Sequence, residues 1–444
     1  MKENSQIGWK NDLVCEEAQR SPDVTSFNPP SEIAVALLTA GRDRPYVFGL
    51  ATELLSKGAA IDLIGSDYVD FPEFHVTPRM NFLNLRGDQD PRASLPRKVL
   101  RILKYYAELI RYAATAKPKV FHILWNNKFE LIDRTLLMFY YKLCGKKIVL
   151  TLHNVNAGRR DSTDSLLNRL TLRIQYRLAD HVFVHTEQMK VELREDFGVD
   201  DARVTVIPFG INNAVPNTLL TPAEARKQLG IRETEKVILF FGNITPYKGL
   251  EYLIDAFQKL LDPKDDYRLI IAGQPKNCET YWAPIRDAIQ GDVQAARIML
   301  KADYVADEET ELYFKAADVL ALPYTHVYQS GVLFLGYSFG LPVLAADVGS
   351  LKADLIEGTT GFVFRPKDAA DLARALKQYF ASDLFANLSR ARRAIKEFAR
   401  DRNSWDIVGQ RTMSVYARLL QIPFPGGVLE RNASKTSLDV EVPS

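Results

Sequence analysis

The chain has 444 residues, too many for one compact core and suited to two domains of ordinary size. Its composition, 47% hydrophobic and 25% charged, is that of a globular protein, so extensive disorder is excluded. Lys and Arg total 57 against 55 acids, and a net charge of +2 argues against a dedicated nucleic-acid binder.

Cys15, Cys144 and Cys278 lie far apart and form neither a metal spacing nor a disulfide framework, as expected in a reducing cytoplasm. The N-terminus lacks the apolar core of a signal peptide, and no stretch reaches the roughly 18 apolar residues of a membrane-spanning helix.

In chain order, residues 1–30 are polar, close on "SFNPPSE", and are expected to form a flexible arm. "EIAVALLTA", the helical "VFGLATELLSKG" and "AAIDLIGSD" form a βαβ unit. The same alternation continues through "KVFHILWNN", "DRTLLMFYYKLCGKK", "IVLTLHNVN", "SLLNRLTLRIQYRLAD" and "HVFVHTE", and "RVTVIPFGINN" closes a first domain at 31–213. Residues 214–235 read as a linker with a short helix. A second series over 236–395 starts at "KVILFFGNI" and includes "YRLIIAGQP", "DVLALPY" and "LPVLAADV". Residues 396–421 turn helical and are expected to pack back on the first domain, and 422–444 lack any core-forming period and are expected to be disordered. Strands apolar throughout, alternating with helices, imply an α/β fold of two parallel, doubly wound sheets. Their carboxyl ends would face a central cleft, where such sheets bind ligands.

Two turns of the second domain could hold an anion. In "FFGNITPYKGLEYLIDAF" the Gly242 and Asn243 turn leads to Lys248 at a helix start. Helix-start amides and a mobile cation suit a phosphate, although a βα turn with a solvated Lys248 reads equally well. In "QSGVLFLGYSFGLPVLAADVGS", Ser330 and Gly331 precede an apolar run from Val332 and Leu333, and their amides could bind a diphosphate without a charged side chain. The plain alternative is a small-residue helix packed closely on its sheet.

The order of "GNITPYKGLEYLIDAF", "RLIIAGQP", "ELYFKAADVLALPY", "QSGVLFLGYSFGLPVLAADVGS" and "LIEGTTGFVF", with "TLHNVN" and "VTVIPFGINN" upstream and Ser404–Trp405 downstream, resembles glycosyltransferase family four over about residues 33–420. The resemblance implies the GT-B architecture, two Rossmann-like domains facing a cleft, and retaining transfer of a sugar from a nucleoside-diphosphate donor without a metal or other cofactor. It matches Lys248 to a lysine on the donor diphosphate and Ser330, Gly331, Val332 and Leu333 to the amide loop holding that group. It matches His153 to a histidine near the donor sugar, Gly41 to Gly49 to the first loop, and Tyr304 and Val305 to main-chain contacts of the nucleobase.

The chain also departs from the family pattern. Asn243 stands where an arginine is common, Val327 and Leu335 stand where two glutamates are usual, and Ala353 stands where an acid is usual. Candidates to replace these contacts are His326, Tyr328 and Gln329, with Arg42, Arg44, Arg159 and Arg160 as cations on first-domain loops. His75, His122, His181 and His185 read as structural. The helix in "RKVLRILKYYAELIRYAATAKPKV" sets Arg97, Lys98, Arg101, Lys104, Arg111, Lys117 and Lys119 against Glu108. It is either an ordinary outer helix or one that lies on an anionic membrane.

The function expected is transfer of a hexose from a UDP- or GDP-sugar to a glycan or a polyprenyl-diphosphate-linked acceptor, at the cytoplasmic face of the cell membrane. The alternative is a weakened relative serving as a binding or scaffold partner. A Rossmann oxidoreductase fits poorly, since no G-x-G-x-x-G opens the first βαβ unit.

Overall fold

The computed structural model describes residues 33–424, except 42, 91, 128, 161–162, 212–214, 262–265, 277 and 292–296, and except the side chains of 160, 290 and 291. The N-terminal arm and the tail beyond Phe424 fall outside the described residues.

The first sheet has seven parallel strands: β1 (Ala34–Leu38), β2 (Ala60–Ile64), β3 (Met80–Leu83), β4 (Val120–Ile123), β5 (Lys147–Thr151), β6 (His181–Val184) and β7 (Val204–Val206). They are ordered β3-β2-β1-β4-β5-β6-β7. The second sheet has six: β8 (Lys236–Phe241), β9 (Tyr267–Ala272), β10 (Ile298–Lys301), β11 (Val319–Leu322), β12 (Val343–Ala346) and β13 (Gly361–Phe364), ordered β10-β9-β8-β11-β12-β13. Every pairing is parallel, so both faces of each sheet are covered, and each sheet lies between two apolar clusters. This is why β4, β6, β11 and β12 are buried at every position and carry no polar alternation.

In each sheet the strand order reverses once, between β1 and β4 and between β8 and β11. Chains leaving the carboxyl ends of neighbouring strands diverge at such a point and leave a crevice.

Two segments connect the domains. In the first, the helix Pro222–Gln228 carries a full capping box from Thr221 and Glu224, and Arg226 pairs with Asp318 at 2.7 Å, tying the helix to the second domain. In the second, Leu388–Arg402 packs on the second domain through Ile395 and Ala399, and the chain then crosses at Asn403 and Ser404. The helix Trp405–Leu420 packs on the first domain, and Ile422 and Phe424 continue that packing. The two crossings touch: Asn403 donates its side-chain amide to Phe209 O at 2.9 Å, and Ile211 N donates to Asn403 O at 3.0 Å.

Candidate functional site

The two crevices face each other across a cavity of about 360 Å3. From the second domain, the turn after β8 brings Lys248, and the segment after β11 brings Tyr324, Gln329, Ser330, Gly331 and Val332. From the first come Asp43 and Tyr46 after β1, Trp125 after β4, His153 after β5 and His185 after β6.

Lys248 is held by its backbone. Gly249 adopts φ 64°, and a Cβ there would overlap Pro323 O, so the chain passes against β11 only because the residue is glycine. The ammonium lies 3.5 Å from Phe241 O and 5.5 Å from the centre of the Tyr324 ring, and a Cβ on Gly242 would sit 2.7 Å from it. No carboxylate among the described residues pairs with it, and burial lowers its pKa to about 8. Opposite it, the Ser330 hydroxyl caps the helix Gly331–Ser338 by accepting from Leu333 N. The amides of Gly331 and Val332 remain at the cavity wall with the positive helix end. A buried cation without a counterion beside a helix N-terminus is arranged for a multiply charged anion.

His153 is stacked on Trp125, with centroids 4.3 Å apart and planes 5° from parallel. Hydrogen bonding sets its tautomer. His185 Nδ1 faces Ile207 O at 3.3 Å, and since a carbonyl can only accept, that nitrogen carries the proton. Burial lowers the His185 pKa to about 4, so His185 is neutral and its Nε2 accepts from His153 Nδ1 at 3.2 Å. Burial also holds His153 well below the usual histidine range. Its Nε2 therefore presents a lone pair, and it is buried without a partner among the described residues.

Asp43 caps the helix Arg44–Ser56 from a left-handed backbone, φ 52°, by accepting from Tyr46 N, and burial raises its pKa to about 6. The loop before it is fixed by Arg86, which donates to Ala40 O at 2.7 Å, and by Gln89, which donates to Gly41 O at 3.1 Å.

The remaining sequence candidates fall in various places. Gly41 adopts φ 63° in the first loop, against Ser66 and Gln89. Gly49 is not in that loop, since the helix has begun at Arg44, and a Cβ there would overlap the Trp405 ring. Asn243 and Tyr304 are exposed, Val305 is in the second-domain core, and Leu333 is buried. Tyr328 turns away from the cavity into the first domain and donates to Glu192 at 3.0 Å. Gln329 lines the cavity, with a buried Oε1 that has no partner among the described residues. Val327 and Leu335 line it as apolar wall. Arg159 is paired outside the cavity with Glu192 and Asp196. Arg42 and the Arg160 side chain fall outside the described residues. His122 is structural, bonded to Tyr416 and Thr151, whereas His185, read as structural, lines the cavity.

Arg44 spans the cleft, pairing with Asp307 at 2.9 Å and lying over the Phe71 ring. Arg44→Ala is expected to change stability by less than about 1 kcal/mol in thermal melting, because both partners are partly solvated.

Sequence reasoning missed Asp43, Tyr46, Trp125, His185 and Tyr324. The available signal was position, since each follows the carboxyl end of a strand, and all but His185, which follows β6, do so at a switch point. Among the described residues no group of three or more His, Cys, Asp or Glu is placed to hold a metal ion.

Two parallel-sheet domains with a cleft at facing switch points define the GT-B architecture. The profile described as Glycosyltransferase Family 4 matches residues 45–215, and that described as Glycosyl transferases group 1 matches residues 235–382. The chain belongs to this family of glycosyltransferases. An uncharacterised glycosyltransferase of Methanocaldococcus jannaschii is 24% identical over 388 residues, 83% of this chain and 92% of the relative. A D-inositol 3-phosphate glycosyltransferase of Corynebacterium efficiens is 27% identical over 411 residues, 87% of this chain and 92% of the relative. Among solved structures, sucrose-phosphate synthase of Thermosynechococcus elongatus superposes with a TM-score of 0.70 at 20% identity, covering 88% of this chain and all of that one. HepE of Anabaena in complex with UDP and glucose superposes at 0.68 and 17% identity, covering 87% and 99%.

Proposed function

We propose that the chain transfers a hexosyl group, with retention, from a UDP- or GDP-sugar to a hydroxyl of a glycan or lipid-linked sugar in polysaccharide or glycolipid assembly. The observation that carries this reading is the buried Lys248, with no carboxylate partner among the described residues, facing the Ser330 helix start, with His153 across the cleft. The UDP and UDP-glucose complexes of HepE support a nucleotide-sugar donor.

In this reading Lys248 and the Gly331 and Val332 amides hold the diphosphate and stabilise its charge as the bond from the anomeric carbon to the phosphate oxygen breaks. The acceptor oxygen bonds to that carbon from the same face, and its proton passes to the departing phosphate oxygen. His153 Nε2 accepts from a donor-sugar hydroxyl, and Gln329 Oε1 takes the place of a missing carboxylate beside Val327 and Leu335. Asp43, ionised above about pH 6, orients the incoming hydroxyl.

Calorimetric titration with UDP and GDP tests the donor site: binding to the wild type and its loss in Lys248→Met are expected, and binding of neither nucleotide would sink the reading. His153→Leu is expected to lower kcat about tenfold, the cost of one neutral hydrogen bond of about 1.5 kcal/mol, with nucleotide affinity unchanged. The scaffold alternative is not favoured, because the family models and the curated relatives that match most of the chain are glycosyltransferases.

Membrane attachment also belongs to this proposal. The helix Leu95–Thr115 exposes Leu95, Val99, Leu100 and Leu103 beside Arg97, Lys98 and Lys104, a composition suited to an anionic interface. Among the described residues no helix is long and apolar enough to cross a membrane.

A further inference from the structure

The loop that carries Gln329 is strapped from behind by the turns at 349–354, which follow β12. Gly349 adopts φ 57°, and a Cβ there would overlap Val327 O, so glycine is what lets the two segments come this close. Ser350 N then donates to Tyr328 O at 3.1 Å. Ala353 is exposed, whereas Asp354 is turned inward: its Oδ2 accepts from the Ser350 hydroxyl at 2.6 Å, and its carboxylate also accepts from the Gln329 side chain. The backbone of Asp354 is pinned as well, its N donating to Ser350 O at 2.9 Å and its O accepting from the Tyr337 hydroxyl at 3.0 Å.

The two ends of a side-chain amide are told apart by the groups they meet. An ionised carboxylate can only accept, so the end of Gln329 against Asp354 is Nε2–H. The other end, Oε1, is thereby committed to the cavity, where it is buried with no partner among the described residues. A buried acceptor left unmade is costly, and a ligand hydroxyl relieves that cost. Val327 and Leu335, in the same wall, offer such a hydroxyl no side-chain acceptor. Burial raises the Asp354 pKa to about 6, against the lowering effects of the Ser350 hydroxyl, the Arg402 charge and the Gln329 amide, so the carboxylate is the form present at neutral pH. Of the cations nearby, Arg402 donates to Ala353 O at 3.2 Å, and Lys352 is paired away, with Asp347 at 3.1 Å.

We propose that Asp354 is a positioning residue for the donor sugar: it takes the Gln329 Nε2–H and so holds Oε1 toward the cavity, where Oε1 accepts from a hydroxyl of the sugar being transferred. This rests on the transferase reading and adds the residue that sets the polarity of the sugar contact. Asp354 itself touches no substrate. When it is protonated it can donate to Oε1, the amide turns over, and the cavity meets Nε2–H in place of an acceptor. The sugar contact is therefore present above about pH 6 and is lost as pH falls through that value.

The test has two measurements on the full chain. Nitrogen-15 NMR follows the side-chain amide of Gln329, its signals identified by their loss in Gln329→Leu. They are expected to shift as pH falls through about 6. Asp43 titrates over the same range at the facing wall, so its share of the shift should survive in Asp354→Ala and the rest should vanish. Calorimetry then compares UDP-glucose with UDP, and GDP-mannose with GDP. Asp354→Ala should weaken the sugar nucleotide that the wild type binds more tightly by about tenfold, the worth of one hydrogen bond, with UDP and GDP affinity unchanged. Gln329→Glu should lose as much, since two carboxylates then meet. Gln329→Glu combined with Asp354→Asn should recover the loss, because donor and acceptor have changed places and an oxygen again faces the cavity. If Asp354→Ala melts early, the exchanged pair carries the test, since it keeps both side-chain shapes. Amide signals that titrate alike in the wild type and Asp354→Ala, a sugar-nucleotide affinity unmoved by Gln329→Glu, or one not restored in the exchanged pair overturns the proposal. Failure of the wild type to bind any of the four nucleotides removes the donor reading and the sugar contact with it, while the amide titration shows separately whether Asp354 holds Gln329.

Discussion

Lys248→Met is expected to lower kcat/KM by about 10²–10³-fold, the cost of removing one preorganised donor from a developing oxyanion, and to raise the melting temperature of the nucleotide-free protein. Both effects have one cause. The ammonium is buried with no carboxylate partner among the described residues and has its pKa lowered to about 8 by desolvation, so the protein without ligand carries a charge it would be more stable without. The folded pKa lies below the unfolded value of about 10.4, so folding expels a proton, and this lysine's cost is full below about pH 8 and is relieved as pH rises from about 8 to 10.4. That window is worth on the order of 3 kcal/mol. Stability of the wild type without ligand should therefore gain over that range relative to Lys248→Met. Nucleotide affinity has the opposite slope: it is flat just below pH 8 and weakens above it, because the diphosphate needs the protonated amine. Titration calorimetry from pH 7 to 10, beside denaturant unfolding over the same range, checks both. A donor affinity unchanged from pH 8 to 9.5 would contradict the assignment.

Gly49→Val is expected to destabilise the protein by about 3 kcal/mol, at the upper end of overpacking costs. Gly49 lies inside the helix Arg44–Ser56, where glycine is otherwise unfavourable, and its reason is the indole ring lying against it. Trp405 also lies against Gly210, meets Tyr46 edge-on with ring centroids 5.2 Å apart, and donates Nε1 to Ile211 O at 2.7 Å. The ring is confined on several sides, so a new methyl pair must displace the helix that Trp405 starts. Thermal unfolding should show the loss directly, and protease digestion should release the C-terminal helix first. Unchanged melting would mean that the ring has room to turn aside.

Most of the fold was legible because both sheets are parallel and covered on both faces, which writes β1, β4, β5, β6, β8, β11 and β12 as unbroken apolar runs. The edge strands β3 and β10 were not read. They pair on one side only, are half-buried, and contain Asn81 and Lys301, so neither a continuous run nor an alternation announces them. Within the site, the Lys248 turn and the Ser330 helix start were legible because glycine and serine mark backbone geometry locally. Asp43, Trp125 and His185 were not, because each is ordinary in its own segment and reaches the cavity only through the way the strands stack. Gly49 shows the converse: a glycine beside a ligand loop in sequence can serve packing alone. Tyr328 shows that a polar residue in a ligand loop can instead be spent on the other domain.

The paired crossings at Phe209, Ile211 and Asn403 bear on motion. A single connecting strand would leave the domains free to swivel, but two strands hydrogen-bonded side by side behave as one flat strap, which bends in one direction and resists twist. Opening and closing about such a strap is a rotation about a single axis, so Lys248 and His153 would part along one arc without sliding or twisting past each other. The same strap carries Phe209 and Gly210 into the cavity wall, so the pivot is also part of the binding surface. A ligand that fills the cavity leans on the pivot itself, and the angle between the domains becomes a measure of what is bound.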